Sequence, residues 1–126
     1  MTKESRGSLP KTLPFFDAVR SINSAAFLTA AFATGDYSKL RHAGGDFMHE
    51  PYRLPKIRGA SAALAAGVEA KALTGWLSGS GSSVLCVCGR AESENVAAAM
   101  RGAFARESVA CDARILAADN TGLQLD

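Results

Sequence analysis

Apolar side chains recur at the three- and four-residue spacing of an α-helix in four parts of the chain. The four predicted helices cover residues 17–35, 36–48, 61–72 and 93–107. Within the first, residues 25–33 are almost entirely apolar, which predicts that neighbouring elements cover this helix on more than one side. On the last helix, Val96, Met100 and Phe104 form one stripe, which is typical of a helix that faces a core.

Polar residues and glycines mark where these helices begin and end. Asp17 and Asp36 stand at N-cap positions of the first two helices, and Gly35 is placed to end the first one. Because Gly44-Gly45 weakens a helix interior, the second helix is predicted to be short or kinked. Its predicted inner face is Tyr37, Leu40, Phe47 and Met48. For the alanine-rich third helix, the predicted inward residues are Leu64, Ala65 and Val68.

Three further segments have the character of β-strands. Residues 73–77 and 84–88 are apolar runs on either side of a serine-glycine loop, and 84–88 has no polar member, which favours a well-buried strand. Residues 109–117 alternate apolar and polar side chains, as a half-buried strand does. Residues 123–125 could add one more short strand after the turn formed by residues 119–122.

Two prolines, Pro51 and Pro55, lie in the charged segment 49–59, which is therefore predicted to be a stiff, mostly extended loop. The complete order is two helices, this loop, a helix, two strands, a helix and a last strand. It predicts an α+β fold with helices on one face of an antiparallel sheet.

Composition narrows the class of protein. Of the 126 residues, 48% are hydrophobic and 21% are charged, as in an ordinary globular domain. No apolar run approaches the roughly 20 residues of a membrane span, and no signal peptide is visible, so a cytoplasmic location is expected. The net charge of +2 is too small to indicate nucleic acid as a partner.

The three cysteines are an odd number, which argues against a disulfide framework. Cys86 and Cys88 share one face of their predicted strand. Since only His42 and His49 could complete a metal site, buried free thiols are the favoured interpretation and no metal-binding residues are predicted.

The serine-glycine loop, residues 78–83, is the strongest candidate for chemistry. Its glycines would let successive backbone N–H groups converge on an anion such as phosphate, and its hydroxyls add further donors. Such clusters are also found in plain flexible turns, and the spacing alone does not separate the two possibilities.

Four segments in sequence order resemble the homoserine kinase family of the GHMP small-molecule kinases. Residues 2–10 (TKESRGSLP) are similar to the family's T-x-x-A-R-x-x-L-P segment, and residues 49–53 (HEPYR) to its E-P-Y-R segment. Residues 77–81 (LSGSG) resemble the superfamily's S-G-S-G-P-[ST] motif, with Ser82 in place of the usual proline. Residues 120–122 (NTG) resemble its terminal T-G-A turn.

The resemblance implies a ferredoxin-like GHMP kinase C-terminal domain over residues 1–126, with its first strand missing. It implies transfer of the ATP γ-phosphoryl group to the hydroxyl of L-homoserine, in threonine biosynthesis. The implied substrate-binding residues are Arg6, Arg53 and His49. The implied phosphate loop is Ser78, Gly79, Ser80, Gly81, Ser82 and Ser83. No catalytic residue is identified.

The superfamily's ATP-binding motif, P-x-x-x-G-L-G-S-S-A, has no counterpart in this chain. We therefore expect ATP and Mg²⁺ to belong to the complete enzyme, with none bound tightly here, and an N-terminal kinase domain to be the missing partner. A homo-oligomer through the exposed sheet edge is also expected, with neither nucleic acid nor membrane as a partner. The alternative is a stand-alone ferredoxin-like module that binds an amino acid.

Overall fold

The computed structural model describes residues 7, 9–79, 81–119 and 121–123. Its α-helices are α1 (Phe15–Thr34), α2 (Glu50–Arg53), α3 (Ala60–Glu69) and α4 (Ser93–Arg106). Its strands are β1 (Thr74–Leu77) and β2 (Val84–Val87), and 3-10 helices cover Tyr37–His42, Leu54–Lys56 and Arg90–Glu92. This order confirms the α+β class and the predicted hairpin around the serine-glycine loop.

The hairpin is antiparallel, and its register places Gly75 opposite Cys86. Helix α3 packs on the face that carries this pair, since a Cβ atom built on its Gly67 would lie 2.6 Å from Cys86 Sγ. Helix α4 packs against α3, and the same Cβ atom would lie 3.3 Å from Met100 Cγ. The stripe on α4 is confirmed in part by Val96, which is 3% exposed.

A second cluster fixes α1 and the following 3-10 helix to the hairpin. Its buried members are Ala31, Leu40 and Ala43, and the partly buried Leu28, Leu73 and Val87 pack against it. Leu40 and Leu77 are the largest fully buried side chains of the described chain.

The ends of the first two helices were predicted with mixed success. Helix α1 begins at Phe15, before Asp17, and ends as predicted at Gly35 in the left-handed conformation. The side chain of Asp36 caps the next helix by accepting from the N–H of Ser38. That helix is a 3-10 helix that ends at His42, so the predicted members Phe47 and Met48 lie outside it, and Tyr37 is exposed.

Three burial predictions were wrong in the described structure. The strand over residues 84–88 was expected to be well buried, but β2 has no buried residue and its Leu85 is 42% exposed. Helix α1 is not covered on several sides, because Ala31 is its only buried residue, and Phe27 and Phe32 are 41% and 55% exposed. On α3 the buried residues are Ala60, Ala63 and Gly67, while Ala65 and Val68 are exposed. The smallest residues face inward there because α3 approaches its neighbours closely.

The prediction of an extended loop over residues 49–59 was wrong, because α2 and a 3-10 helix occupy most of this segment. Pro51 and Pro55 lie in the first turns of these helices, where the missing N–H costs no hydrogen bond. The prolines start two short helices instead of preventing them.

The predicted strand over residues 109–117 is absent from the described structure. This segment has no regular secondary structure and is mostly exposed, with Leu116 81% exposed. The turn that follows is confirmed, since Asp119 Oδ1 accepts from the N–H of Thr121 at 2.7 Å. Leu123 belongs to no strand, and the rest of the predicted strand 123–125 lies outside the described residues.

The cysteines are free thiols, with Cys86 and Cys88 half-buried and Cys111 exposed. Burial, and then the neighbouring Cys88, raises the pKa of the Cys86 thiol to about 11. A cysteine with that pKa is a packing residue and not a nucleophile at neutral pH. In the described part of the chain, no helix combines the length and apolar character that crossing a membrane requires.

Candidate functional site

The loop between the first 3-10 helix and α2 is held against α1 by two serines. Ser21 Oγ accepts from the N–H of Phe47 at 2.9 Å, and Ser24 Oγ donates to the carbonyl oxygen of Gly44 at 3.1 Å. The two serines are spaced i, i+3 on α1, so their hydroxyls lie on the same side of the helix. The guanidinium of Arg20 lies over the Phe47 ring, 5.4 Å from its centroid. These contacts set the position from which α2 begins.

Gly45 lets this loop turn sharply, because its φ of +87° is a conformation that other residues rarely adopt. A Cβ atom at this position would also lie 3.2 Å from the Phe47 ring. The turn brings the next residue, Asp46, to the start of the candidate substrate segment.

Asp46 organises that start through three contacts. Its Oδ1 accepts from the N–H of Met48 at 2.8 Å, its carbonyl oxygen accepts from the N–H of Glu50 at 3.0 Å, and its Oδ2 lies 3.2 Å from Nε2 of His49. The His49 side chain is 22% exposed, and its Nδ1 is buried without a hydrogen-bond partner. His49 is thus fixed at the N-cap position of α2 by a neighbouring carboxylate.

Glu50 is a buried carboxylate, 8% exposed, that joins the two candidate segments. Its Oε1 accepts from the N–H of Leu77 at 2.6 Å, and its Oε2 accepts from the N–H of Asp46 at 2.9 Å. Leu77 is the last residue of β1 and immediately precedes the serine-glycine loop. The segments 49–53 and 78–83 are therefore neighbours in space, although they are far apart in sequence.

Arg53 ends α2, one helical turn after Glu50, and is half-buried with its Nε atom inside the protein. Arg6, the other arginine of the predicted carboxylate site, lies outside the described residues. The convergence of the two arginines on one pocket therefore stays a prediction.

The serine-glycine loop is closed at its base, where the N–H of Ser78 donates to the carbonyl oxygen of Ser83 at 2.9 Å. Gly79, Gly81 and Ser82 have φ values of +68°, +129° and +71°. Proline cannot adopt a positive φ, so Ser82 gives this loop a backbone path that a proline at the same position would not allow. Ser80 lies outside the described residues.

Two cavities flank the loop that begins at Gly44. One, of about 280 Å³, is lined by residues that include Asp46, Glu50, Pro51 and Leu54. The other, of about 380 Å³, lies between α1 and β1 and includes Asp46 and Trp76 in its lining. Both are open to solvent on one side, and Asp46 contributes to both.

Among the described residues no group of three or more His, Cys, Asp or Glu side chains is arranged to hold a metal ion. The groups that the described chain does offer around this site are hydrogen-bonding and anion-binding ones.

Sequence analysis missed four residues that build this site: Ser21, Ser24, Asp46 and Glu50. A signal was present for the last two. An aspartate a few residues before a glutamate and a proline is typical of a helix start, where side chains satisfy the first N–H groups. For the two serines, a spacing of three on a predicted helix was the available signal.

Comparison with known families identifies the class of protein to which this chain belongs. Residues 28–106 match the family model described as the C-terminal domain of GHMP kinases, so the chain belongs to the GHMP kinase C-terminal family. Within this class, the chain is similar to proteins named homoserine kinases. The one from Moorella thermoacetica is 45% identical over 121 residues, covering 96% of this chain and 40% of the relative. One from Prochlorococcus marinus is 35% identical over 115 residues, covering 91% of this chain and 36% of the relative.

A solved structure extends the similarity to three dimensions. The crystal structure of homoserine kinase from Cytophaga hutchinsonii superposes with a TM-score of 0.78 and 28% identity, over 84% of this chain and 34% of that one. This confirms the GHMP kinase C-terminal fold. The chain spans about 40% of the length of the Moorella relative, so most of that kinase has no counterpart here.

Proposed function

We propose that this chain is the substrate-binding part of a homoserine kinase, which transfers the γ-phosphoryl group of ATP to the hydroxyl of L-homoserine. One observation carries the proposal. Glu50 belongs to the segment that begins at His49, and its carboxylate accepts from the N–H of Leu77, the last residue before the serine-glycine loop, across 27 positions of sequence. The segments with resemblance to substrate and phosphate motifs therefore adjoin, as transfer between two ligands requires.

In this proposal Arg53 and Arg6 hold the carboxylate of L-homoserine, and His49 lies beside them. A guanidinium presents a planar pair of N–H donors that matches both oxygens of a carboxylate, and a lysine ammonium does not. The half-buried position of Arg53 at the end of α2 supports this role, because a partly desolvated charge attracts an anion more strongly than an exposed one.

The serine-glycine loop, with Ser78, Gly79, Ser80, Gly81, Ser82 and Ser83, would face the phosphoryl group that is transferred. Backbone N–H groups freed by the positive φ values of its glycines can stabilise negative charge there. When Mg·ATP is bound, the Mg²⁺ ion would neutralise and orient the phosphates of ATP. We assign this chain no step through the metal.

The missing partner in this proposal is the nucleotide-binding domain, supplied by the part of the kinases that this chain does not match. Helix α1 supports such a partner, since Phe16, Ile22 and Phe32 are 74%, 62% and 55% exposed. Apolar exposure of this extent on one element is typical of an interaction surface.

The test is a chimera in which this chain replaces the segment that it matches in the Moorella relative. We expect ADP to form from Mg·ATP only when L-homoserine is present, and only in the chimera. The chain by itself and the remaining Moorella segment by itself are the controls, and both are expected to be inactive.

Activity from the chain by itself would contradict the assignment of nucleotide binding to a partner. An inactive chimera with an intact fold would contradict the kinase proposal. If that inactive chimera still bound L-homoserine, the alternative of a stand-alone amino-acid-binding module would be favoured.

We also propose that the exposed sheet edge pairs with a second copy of the chain, because a two-stranded sheet leaves unpaired N–H and C=O groups at its edges. Light scattering during size exclusion should give a mass above the 13.1 kDa of one chain. The backbone amides of β2, the strand with no buried residue, should then exchange more slowly as the protein concentration rises. A 13.1 kDa species at every concentration would contradict the pairing.

A further inference from the structure

Glu50 makes a hydrogen bond to a residue far outside the sequence motif in which it occurs. Neighbouring residues of a strand direct their N–H groups to opposite sides. Ser78 donates its N–H across the hairpin to Ser83, whereas Leu77, one residue earlier, donates to Glu50. Glu50 therefore lies along the outer edge of β1, at the residue where the strand ends and the serine-glycine loop begins.

A carboxylate is an expensive group to place there. Burying a charged side chain is unfavourable unless hydrogen bonds replace its hydration. Glu50 is 8% exposed, and within the described chain no cation forms an ion pair with it. Its compensation is two short hydrogen bonds from backbone N–H groups, one from Leu77 at the end of β1 and one from Asp46 in the loop before α2.

The need for two acceptors explains why a glutamate stands here. The N–H of Leu77 and the N–H of Asp46 approach different oxygens of the same side chain. A glutamine has one acceptor oxygen, and its NH₂ group would face the second N–H as donor against donor. Of the two side chains, only the carboxylate can accept from both N–H groups at once.

We infer that Glu50 is a positioning residue that sets the serine-glycine loop at a fixed distance from the substrate segment 49–53. The inference rests on the proposed function for the identity of the ligand. The hydrogen bond between Glu50 and Leu77 does not depend on that function. Because Arg53 lies on the same short helix as Glu50, occupation of the arginine site changes the constraint on Leu77, and through it on the loop.

The experiment compares the ¹⁵N-labelled chain with Glu50→Gln and with the matched control Glu69→Gln. Glu69 is exposed at the end of α3, so its replacement removes the same charge without a buried contact. In Glu50→Gln we expect the amide of Leu77 to exchange about tenfold faster or more, since a charge-assisted bond is lost. The amide of Val96, in the α4 core, should not change in either variant.

A titration with L-homoserine separates positioning from simple stability. In the wild-type chain, resonances near Arg53 and those of Gly79 and Gly81 are expected to shift together. In Glu50→Gln the Arg53 shifts should persist, with a Kd raised severalfold, while the shifts of the two glycines are lost. In Glu69→Gln the response should be that of the wild type.

Equal Leu77 exchange in Glu50→Gln and Glu69→Gln, or a preserved glycine response in Glu50→Gln, would overturn the inference. No response of the wild-type chain to L-homoserine would count against the proposed function only, and the exchange comparison would still decide the role of Glu50. Should Glu50→Gln fail to fold, slowing of the Leu77 amide in the wild-type chain on adding L-homoserine is the deciding measurement, and unchanged exchange there overturns the inference.

Discussion

Replacing Arg53 by lysine is expected to raise the KM for L-homoserine roughly tenfold to hundredfold in the chimera, with a smaller effect on kcat. The charge is kept, but the planar fork that binds both oxygens of a carboxylate is lost. A hydrogen bond to a charged group contributes about 1.5–3 kcal/mol, which corresponds to that range of affinity. Steady-state kinetics with varied L-homoserine at saturating Mg·ATP measures it.

Arg58→Lys is the matched control. The Arg58 side chain is 67% exposed, and its Nε lies 3.7 Å from Glu107 Oε2, a distance at which a surface ion pair contributes little. We expect this variant to retain the parent KM. If Arg53→Lys and Arg58→Lys behaved alike, Arg53 would not contact the substrate carboxylate, and that part of the proposal would fall.

The sequence alone predicted the elements correctly where the local pattern and the final packing agree. The hairpin was predicted from two short apolar runs around glycines and serines, and α4 from an apolar stripe that does face the core. The end of α1 followed from Gly35, whose left-handed conformation is the usual way to stop a helix. In each case one local signal and the final contacts point to the same structure.

The predictions were wrong where the structure depends on a pairing partner or on the exact position of a residue within a helix. Residues 109–117 have the alternation of a strand, but a strand forms only when another one pairs with it, and no described strand does. In segment 49–59 the two prolines predict an extended loop, although a proline in the first helical turn is compatible with a helix. On α3 two of the three residues expected inside, Ala65 and Val68, are exposed, and small residues occupy the buried positions where the helices approach closely.

The candidate site was predicted as two separate motifs, and the link between them was not. Nothing in the pattern around Glu50 indicates that its side chain reaches the end of β1, because that contact depends on how α2 docks. A buried acidic residue beside a predicted helix start is detectable as an anomaly only after the fold is known. Long-range hydrogen bonds of this kind are the part of the site that requires a structure.

The second large effect is expected at Gly67, where Gly67→Ala should destabilise the chain by about 1–3 kcal/mol, the usual range for an overpacked core. Alanine favours a helix by up to about 1 kcal/mol, so propensity alone predicts the opposite sign. The added Cβ would lie 2.6 Å from Cys86 Sγ, which is closer than any ordinary contact, and α3 must then move away from the sheet. Thermal unfolding should show a Tm lower by several degrees.

Gly102→Ala is the matched control, because Gly102 is also inside a helix but has space around it. A Cβ there would meet only Arg106 Nη1 at 3.7 Å, an ordinary contact, so this variant should gain the helix propensity and become more stable.

The cause of the loss of stability in Gly67→Ala is tested by Cys86→Ala, which removes the sulfur that the new methyl group meets. In a double-mutant cycle, Gly67→Ala should cost clearly less when Cys86→Ala is present. A Gly67→Ala variant as stable as Gly102→Ala would show that α3 and the hairpin are not in close contact, and the packing that holds β1 in place would need another explanation.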